Sequence, residues 1–138
     1  MEDRYLFKSK RLDNGEWVEG ALFNGESHCI IGQEIKFSPY AEHECKIVGH
    51  EVDRDTICQC TGLKDKNGKL IWENDIVRDE QGNFYKAFWQ NNYYQFSWVC
   101  VKTDVFLIGT KWDLWSIKSF EIEVIGNKFD NPELLEVG

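Results

Sequence analysis

The stretch TGLKDKNGKLIWENDIV, residues 61–77, sets a polar hexapeptide between two apolar runs and closes on Glu-Asn-Asp before Ile76 and Val77. Ile57 to Leu63 leads in with β-branched and apolar residues, and Leu70 to Trp72 leads out. The intervening Lys-Asp-Lys-Asn-Gly-Lys can take positive φ at Asn67 and Gly68, which is the chemistry of a hairpin turn. Asp65 is placed to brace it by accepting backbone amides two residues on, as in an Asx turn. Glu73, Asn74 and Asp75 then read as a second turn ahead of a strand at Ile76–Arg78. A calcium loop starting at Asp65 fails, because its fifth, sixth and twelfth positions carry Lys69, Leu70 and Ile76 instead of an oxygen ligand, Gly and Glu. The stretch is architecture.

The same grammar recurs outward. Asn14-Gly15, Asn67-Gly68 and Gly82-Asn83 punctuate apolar stretches. Strand alternation is read at Glu16–Glu19 with Ala21–Phe23, Ile57–Cys60, Leu70–Trp72, Phe84–Trp89, Tyr93–Val101 and Phe120–Ile125. In the last, Phe120, Ile122 and Val124 are assigned to a buried face opposite Glu121 and Glu123. The apolar residues Val105–Ile108 read as a central strand, and Trp112 and Trp115 fall three apart, as on one helical turn. Near the C-terminus, Asn131 as cap and Pro132 in the first position predict a short helix. Short antiparallel strands at this spacing predict a mainly β fold, a small antiparallel barrel in one domain over residues 1–138.

Composition narrows the function. The formal charge is −8 in 138 residues, a sign that repels phosphate backbones and anionic membranes. The cations are dispersed among Asp and Glu instead of forming a patch, so nucleic acid is not the expected partner. No run approaches the ~20 apolar residues of a membrane helix. The charged N-terminus carries no secretory pattern, and five cysteines is an odd number for disulfide pairing. Together these imply reduced thiols and a cytoplasmic setting.

Three constellations could carry chemistry. His43, Cys45, Cys58 and Cys60 are the best four zinc ligands on offer, but Cys58 and Cys60 sit at strand spacing instead of in a knuckle, so packed thiols are expected and no metal or other cofactor. Eight aromatics fall between Phe84 and Trp98. They read as core on one face with a partner-contact surface of Tyr85, Trp89, Tyr93, Tyr94 and Trp98 on the other. Only Lys86 and Lys102 accompany them, too few for a single-strand platform. Nucleophile elbow, P-loop and His-Glu-x-x-His patterns are all missing, which leaves a non-enzymatic reading ahead of a small hydrolase.

Residues 61–77 closely resemble the central motif of the YopX family, proteins of phages and prophages. Lys10–Gly20 resembles the family's N-terminal hairpin, and Glu123–Glu136 its C-terminal strand-turn-helix. The family pattern has Gly where this chain has Asn74, and Tyr where it has Cys60. Asn at residue 74 fits if its φ is positive. The resemblance implies a compact β fold related to SH3-like barrels, with Asp65, Asn67, Gly68, Asn74 and Asp75 as the motif's turn residues. It brings no catalytic residues. The resulting expectation is a phage or prophage accessory protein that binds another protein of host or phage, or a further copy of itself. A nucleic-acid-binding barrel is the alternative.

Overall fold

The structure is a computed structural model that describes residues 3–40 and 44–136. Eleven strands are present among them: β1 (Phe7–Lys10), β2 (Trp17–Asn24), β3 (Cys29–Phe37), β4 (Cys45–Glu51), β5 (Cys58–Lys64), β6 (Leu70–Trp72), β7 (Asp75–Arg78), β8 (Phe84–Gln90), β9 (Gln95–Lys102), β10 (Lys111–Asp113) and β11 (Glu123–Asn127). The fold is mainly β, in two antiparallel sheets. The backbone divides into two compact units between Gln59 and Cys60, within β5.

In the first unit β1 to β4 form a meander, and Cys58 and Gln59 pair with Lys8 and Phe7. Val18, Cys29, Ile31 and Val52 make its core, with Phe7, Leu22 and Ile57 packed against them. A buried polar knot joins its ends. Ser9 and Thr56 share a 2.7 Å hydroxyl contact, the Thr56 hydroxyl donates to the Asp53 carbonyl at 2.8 Å, and the Lys10 amide donates to the Thr56 oxygen at 2.9 Å. Each buried hydroxyl thereby keeps a partner in place of water.

The second unit is built on the quoted stretch. Its five-stranded sheet runs β10-β9-β8-β7-β11. Ile71, Val77, Tyr85, Ala87, Trp98, Cys100 and Ile122 form its core. The predicted Asx turn is present: Asp65 Oδ1 accepts the Asn67 and Lys69 amides, each at 2.9 Å. Gly68 takes φ +78°, while Asn67 stays out of the left-handed region. Asp79-Glu80-Gln81-Gly82-Asn83 repeats the device, with Asp79 Oδ1 accepting from Gln81 and Asn83 and Gly82 at φ +86°. Asp75 is buried, and its Oδ2 accepts the Trp72 amide at 2.8 Å.

Asn74 has φ +71°, the conformation its place in the motif requires. Its amide donates to the Ala87 carbonyl at 2.7 Å, and its carbonyl accepts from the Lys128 amide at 3.0 Å. Both bonds hold the backbone in the left-handed region, which Gly and Asn tolerate and β-branched residues do not. Asn74→Gly is therefore expected to stay within about 0.5 kcal/mol of the parent in urea unfolding. Asn74→Val should lose about 1–2 kcal/mol. Equal midpoints for the two variants would contradict this account.

Four expectations are corrected. No barrel closes among the described residues: each sheet is open, with β4 and β6 at the edges of one and β10 and β11 at the edges of the other, and the chain between β10 and β11 makes 3₁₀ turns at Leu114–Ser116 and Ser119–Glu121. The C-terminal helix is a single 3₁₀ turn, Pro132–Leu135. Asn131 gives it no side-chain cap, and Glu136 is already extended. Phe120 lies in the second 3₁₀ turn and is 65% exposed, Ile122 alone of the expected face is fully buried, and every residue of β11 is half-buried, without alternation. Val105–Ile108 is an exposed loop, not a central strand: the Thr103 hydroxyl captures the Val105 and Phe106 amides and turns the chain out of β9.

Candidate functional site

The aromatic surface expected from sequence is split by the fold. Tyr85 and Trp98 are buried in the second core, and the Trp98 indole N–H has no hydrogen-bond partner there. Trp98, fully buried, cannot meet a partner, while Tyr85 keeps 4% exposure and lines a small hollow. Trp89 is exposed and packs edge-on against Phe96, with centroids 5.1 Å apart. Tyr93 and Tyr94 are exposed in the β8–β9 turn, where Tyr94 takes φ +51°. That conformation is uncommon for an aromatic residue. Asp65, Asn67, Gly68, Asn74 and Asp75 serve the two turns described above, so the motif is structural.

The metal-ligand set is also dispersed in character. His43 lies outside the described residues, Cys45 is exposed, and Cys58 and Cys60 are buried. No group of three or more His, Cys, Asp or Glu among the described residues is arranged to hold a metal ion. No helix among them is long and apolar enough to cross a membrane.

Two adjoining hollows in the second unit stand out instead. The larger, of about 470 Å³, is walled by Leu63 of β5, by Leu114, Trp115 and Phe120 from the two 3₁₀ turns, and by Ile117 between them. Trp115 is 94% exposed there, although it is the kind of side chain that folding ordinarily covers. The turns explain its position. Leu114 and Ile117 pack onto the core, and the residues between them are left facing outward. The Glu121 and Ile122 amides donate to the Lys118 and Ser119 carbonyls at 3.0 and 3.3 Å, and the Lys66 amide ties the Ile122 carbonyl to the first hairpin at 2.9 Å.

The smaller hollow, about 230 Å³, shares Ile117 and Lys118 with the first and adds Asp79, Glu80, Tyr85 and Glu121. The Tyr85 hydroxyl donates to Asp79 Oδ2 at 2.9 Å, as does Asn83 Nδ2. Burial is the largest single influence on the Asp79 carboxyl and acts to raise its pKa. Hydrogen bonds from Asn83, Tyr85 and Gln81 outweigh it and hold the group below the usual carboxylate range. Tyr85 is pushed upward by burial and by its bond to Asp79. Asp79 is thus ionised at neutral pH, and Tyr85 is a fixed donor. Lys118 Nζ lies 5.9 Å from the Phe120 ring centroid, over the apolar hollow.

The sequence profile of the YopX protein family matches residues 6–136. The chain belongs to the YopX family. A crystal structure of protein EF1440 from Enterococcus faecalis is similar to this YopX protein at 26% identity, with a TM-score of 0.62 over 94% of this chain and 96% of that one. Among curated proteins, none matches. Within this YopX protein the family motif frames the hollows without lining most of them. Leu63 is two residues before Asp65, whose Oδ2 accepts the Val124 amide at 2.9 Å and so anchors β11 behind the 3₁₀ turns. Of the two tryptophans three apart, only Trp115 meets Leu63 in the cleft, and no local sequence signal marks that convergence.

Proposed function

We propose that this YopX protein is a non-enzymatic protein-binding module acting in the cytoplasm of a bacterium that carries a phage or prophage. One observation carries the reading: an apolar cleft whose Trp115 and Phe120 are 94% and 65% exposed. Burying one large apolar side chain is worth about 1.5–3 kcal/mol, so two aromatics can anchor a partner. The cleft's own lining is Leu63, Leu114, Trp115, Ile117 and Phe120 with Lys118 and Ser119, a set suited to contact with an apolar side chain. In this reading the meander of the second unit is an opened relative of the SH3-like barrels that the family resemblance implies.

A pull-down from bacterial lysate, with and without nuclease, tests it. The expected result is a protein that survives nuclease and is lost from the Trp115→Ala/Phe120→Ala variant. Both residues are exposed, so that variant should unfold within about 0.5 kcal/mol of the parent in urea. Capture that vanishes with nuclease would move the reading to nucleic acid. Capture that is indifferent to both substitutions would remove the cleft from consideration.

A further inference from the structure

We propose that the apolar cleft takes a short extended segment of a partner protein that carries a large apolar side chain two residues from a lysine or arginine. The apolar side chain fills the hollow of Leu63, Leu114, Trp115 and Phe120, and the cation reaches the adjoining hollow of Asp79, Glu80 and Glu121. This rests on the protein-binding reading and adds the chemistry of the partner.

Charge complementarity selects the occupant. The second hollow presents three carboxylates against Lys118 alone, and Lys118 is drawn toward the Phe120 ring. Asp79 stays ionised at neutral pH because its hydrogen-bond donors outweigh its burial. The whole chain adds a field of −8 formal charges, which attracts a cationic segment and repels a second copy of the chain.

Spacing agrees. The hollows share the Ile117 and Lys118 wall, so their occupants are near neighbours. In an extended segment, side chains on one face recur every two residues, about 6.5–7 Å apart. Alternate positions of one strand-like peptide therefore suit two adjoining hollows. An acidic segment would place like charges together, and an uncharged one would leave Glu80 and Glu121 desolvated without a partner.

The test uses the full chain and four fluorescein-labelled decapeptides read by anisotropy, each with its paired side chains two residues apart: GSLSRSLSKG (apolar–basic), GSLSESLSDG (apolar–acidic), GSLSTSLSTG (apolar–neutral) and GSGSRSGSKG (basic only). The apolar–basic probe is expected to bind at least about tenfold more tightly than each of the others, with affinity falling as salt rises. Trp115→Ala should abolish that binding. Glu80→Lys/Glu121→Lys should invert the preference toward the apolar–acidic probe, while Glu26→Lys/Glu136→Lys, equal in net charge but outside both linings, should not.

Equal, Trp115-dependent binding of the apolar–neutral probe would overturn the cation preference and leave the protein-binding reading standing. Binding of no apolar probe up to about 1 mM would overturn both. A dimer in sedimentation that dissociates on Trp115→Ala would overturn the proposal in favour of a second copy as occupant.

Discussion

Asp65→Ala is expected to lower the unfolding free energy by about 2–4 kcal/mol, the largest loss from any single polar substitution in the second unit. The carboxylate accepts three backbone amides, from Asn67, Lys69 and Val124, each at 2.9 Å, and the residue is 5% exposed. Bonds to a charged acceptor contribute about 1.5–3 kcal/mol each when broken in isolation. The Asn67 and Lys69 amides can turn to water after truncation, so the total falls below the sum. Asp65→Asn keeps one acceptor oxygen and should lose less, about 1–2 kcal/mol.

The pH dependence separates charge from shape. Burial acts most strongly on the Asp65 carboxyl and raises its pKa, but the amides of Val124, Lys69 and Asn67 and the charge of Lys69 together bring it below its ordinary value. A group depressed in the folded state adds stability that is complete above its unfolded pKa, near 3.9, and lost as pH falls toward the folded value. Urea unfolding of parent and Asp65→Asn should therefore show a gap that is full at neutral pH and narrows below about pH 4. A gap that stays constant from neutral pH into that acid range would sink the account. Asp79 shifts in the same direction and should steepen the parent's acid limb further.

The contrast between what was legible and what was not follows chain distance. The turn at Asp65 and the strands Leu70–Trp72 and Phe84–Gln90 depend on residues within a few positions, and the sequence shows them, whereas the positive φ of Asn74 followed only from the family's Gly at that place. β3 and β4 were not foreseen. Glu34–Phe37 alternates polar and apolar residues, but Gln33–Phe37 is exposed throughout, so no core backs the pattern and its strand state comes from pairing with β4 across the register Ile35↔Ile47 and Phe37↔Cys45. Phe120 misled for the opposite reason. Its spacing from Ile122 and Val124 mimics a strand, yet the Ile122 amide closes a 3₁₀ turn on the Ser119 carbonyl and rotates Phe120 outward. The cleft was least legible. It needs Leu63 of β5 beside Leu114–Phe120, and no local pattern records a contact between segments so far apart in the chain.

Gly49→Ala carries the largest expected effect in the first unit, a loss of about 3 kcal/mol, at the upper end of what overpacking ordinarily costs. Gly49 of β4 pairs with Gly32 of β3. A Cβ at residue 49 would collide with the Ile31 carbonyl oxygen and lie 2.7 Å from the Gly32 Cα. Both obstacles are backbone, so no rotamer change relieves them, and β3 would have to shift, carrying with it the Ile31 side chain that fills the core. A Cβ at Gly20 of β2 would meet the Gly32 carbonyl in the same way, so the glycines let neighbouring strands approach where branched residues would part them.

Asparagine distinguishes this role from a turn. At Gly68, φ is +78° and nothing lies within 4 Å of an added Cβ. Gly68→Asn should therefore cost less than about 1 kcal/mol, since Asn accepts the left-handed region. Gly49→Asn should cost at least as much as Gly49→Ala, because the crowding is steric and owes nothing to φ. Urea unfolding of the three variants decides the matter. A Gly49→Ala midpoint matching that of Gly68→Asn would mean that β3 and β4 can separate freely, and that the close approach at Gly49 is not what holds this hairpin in register.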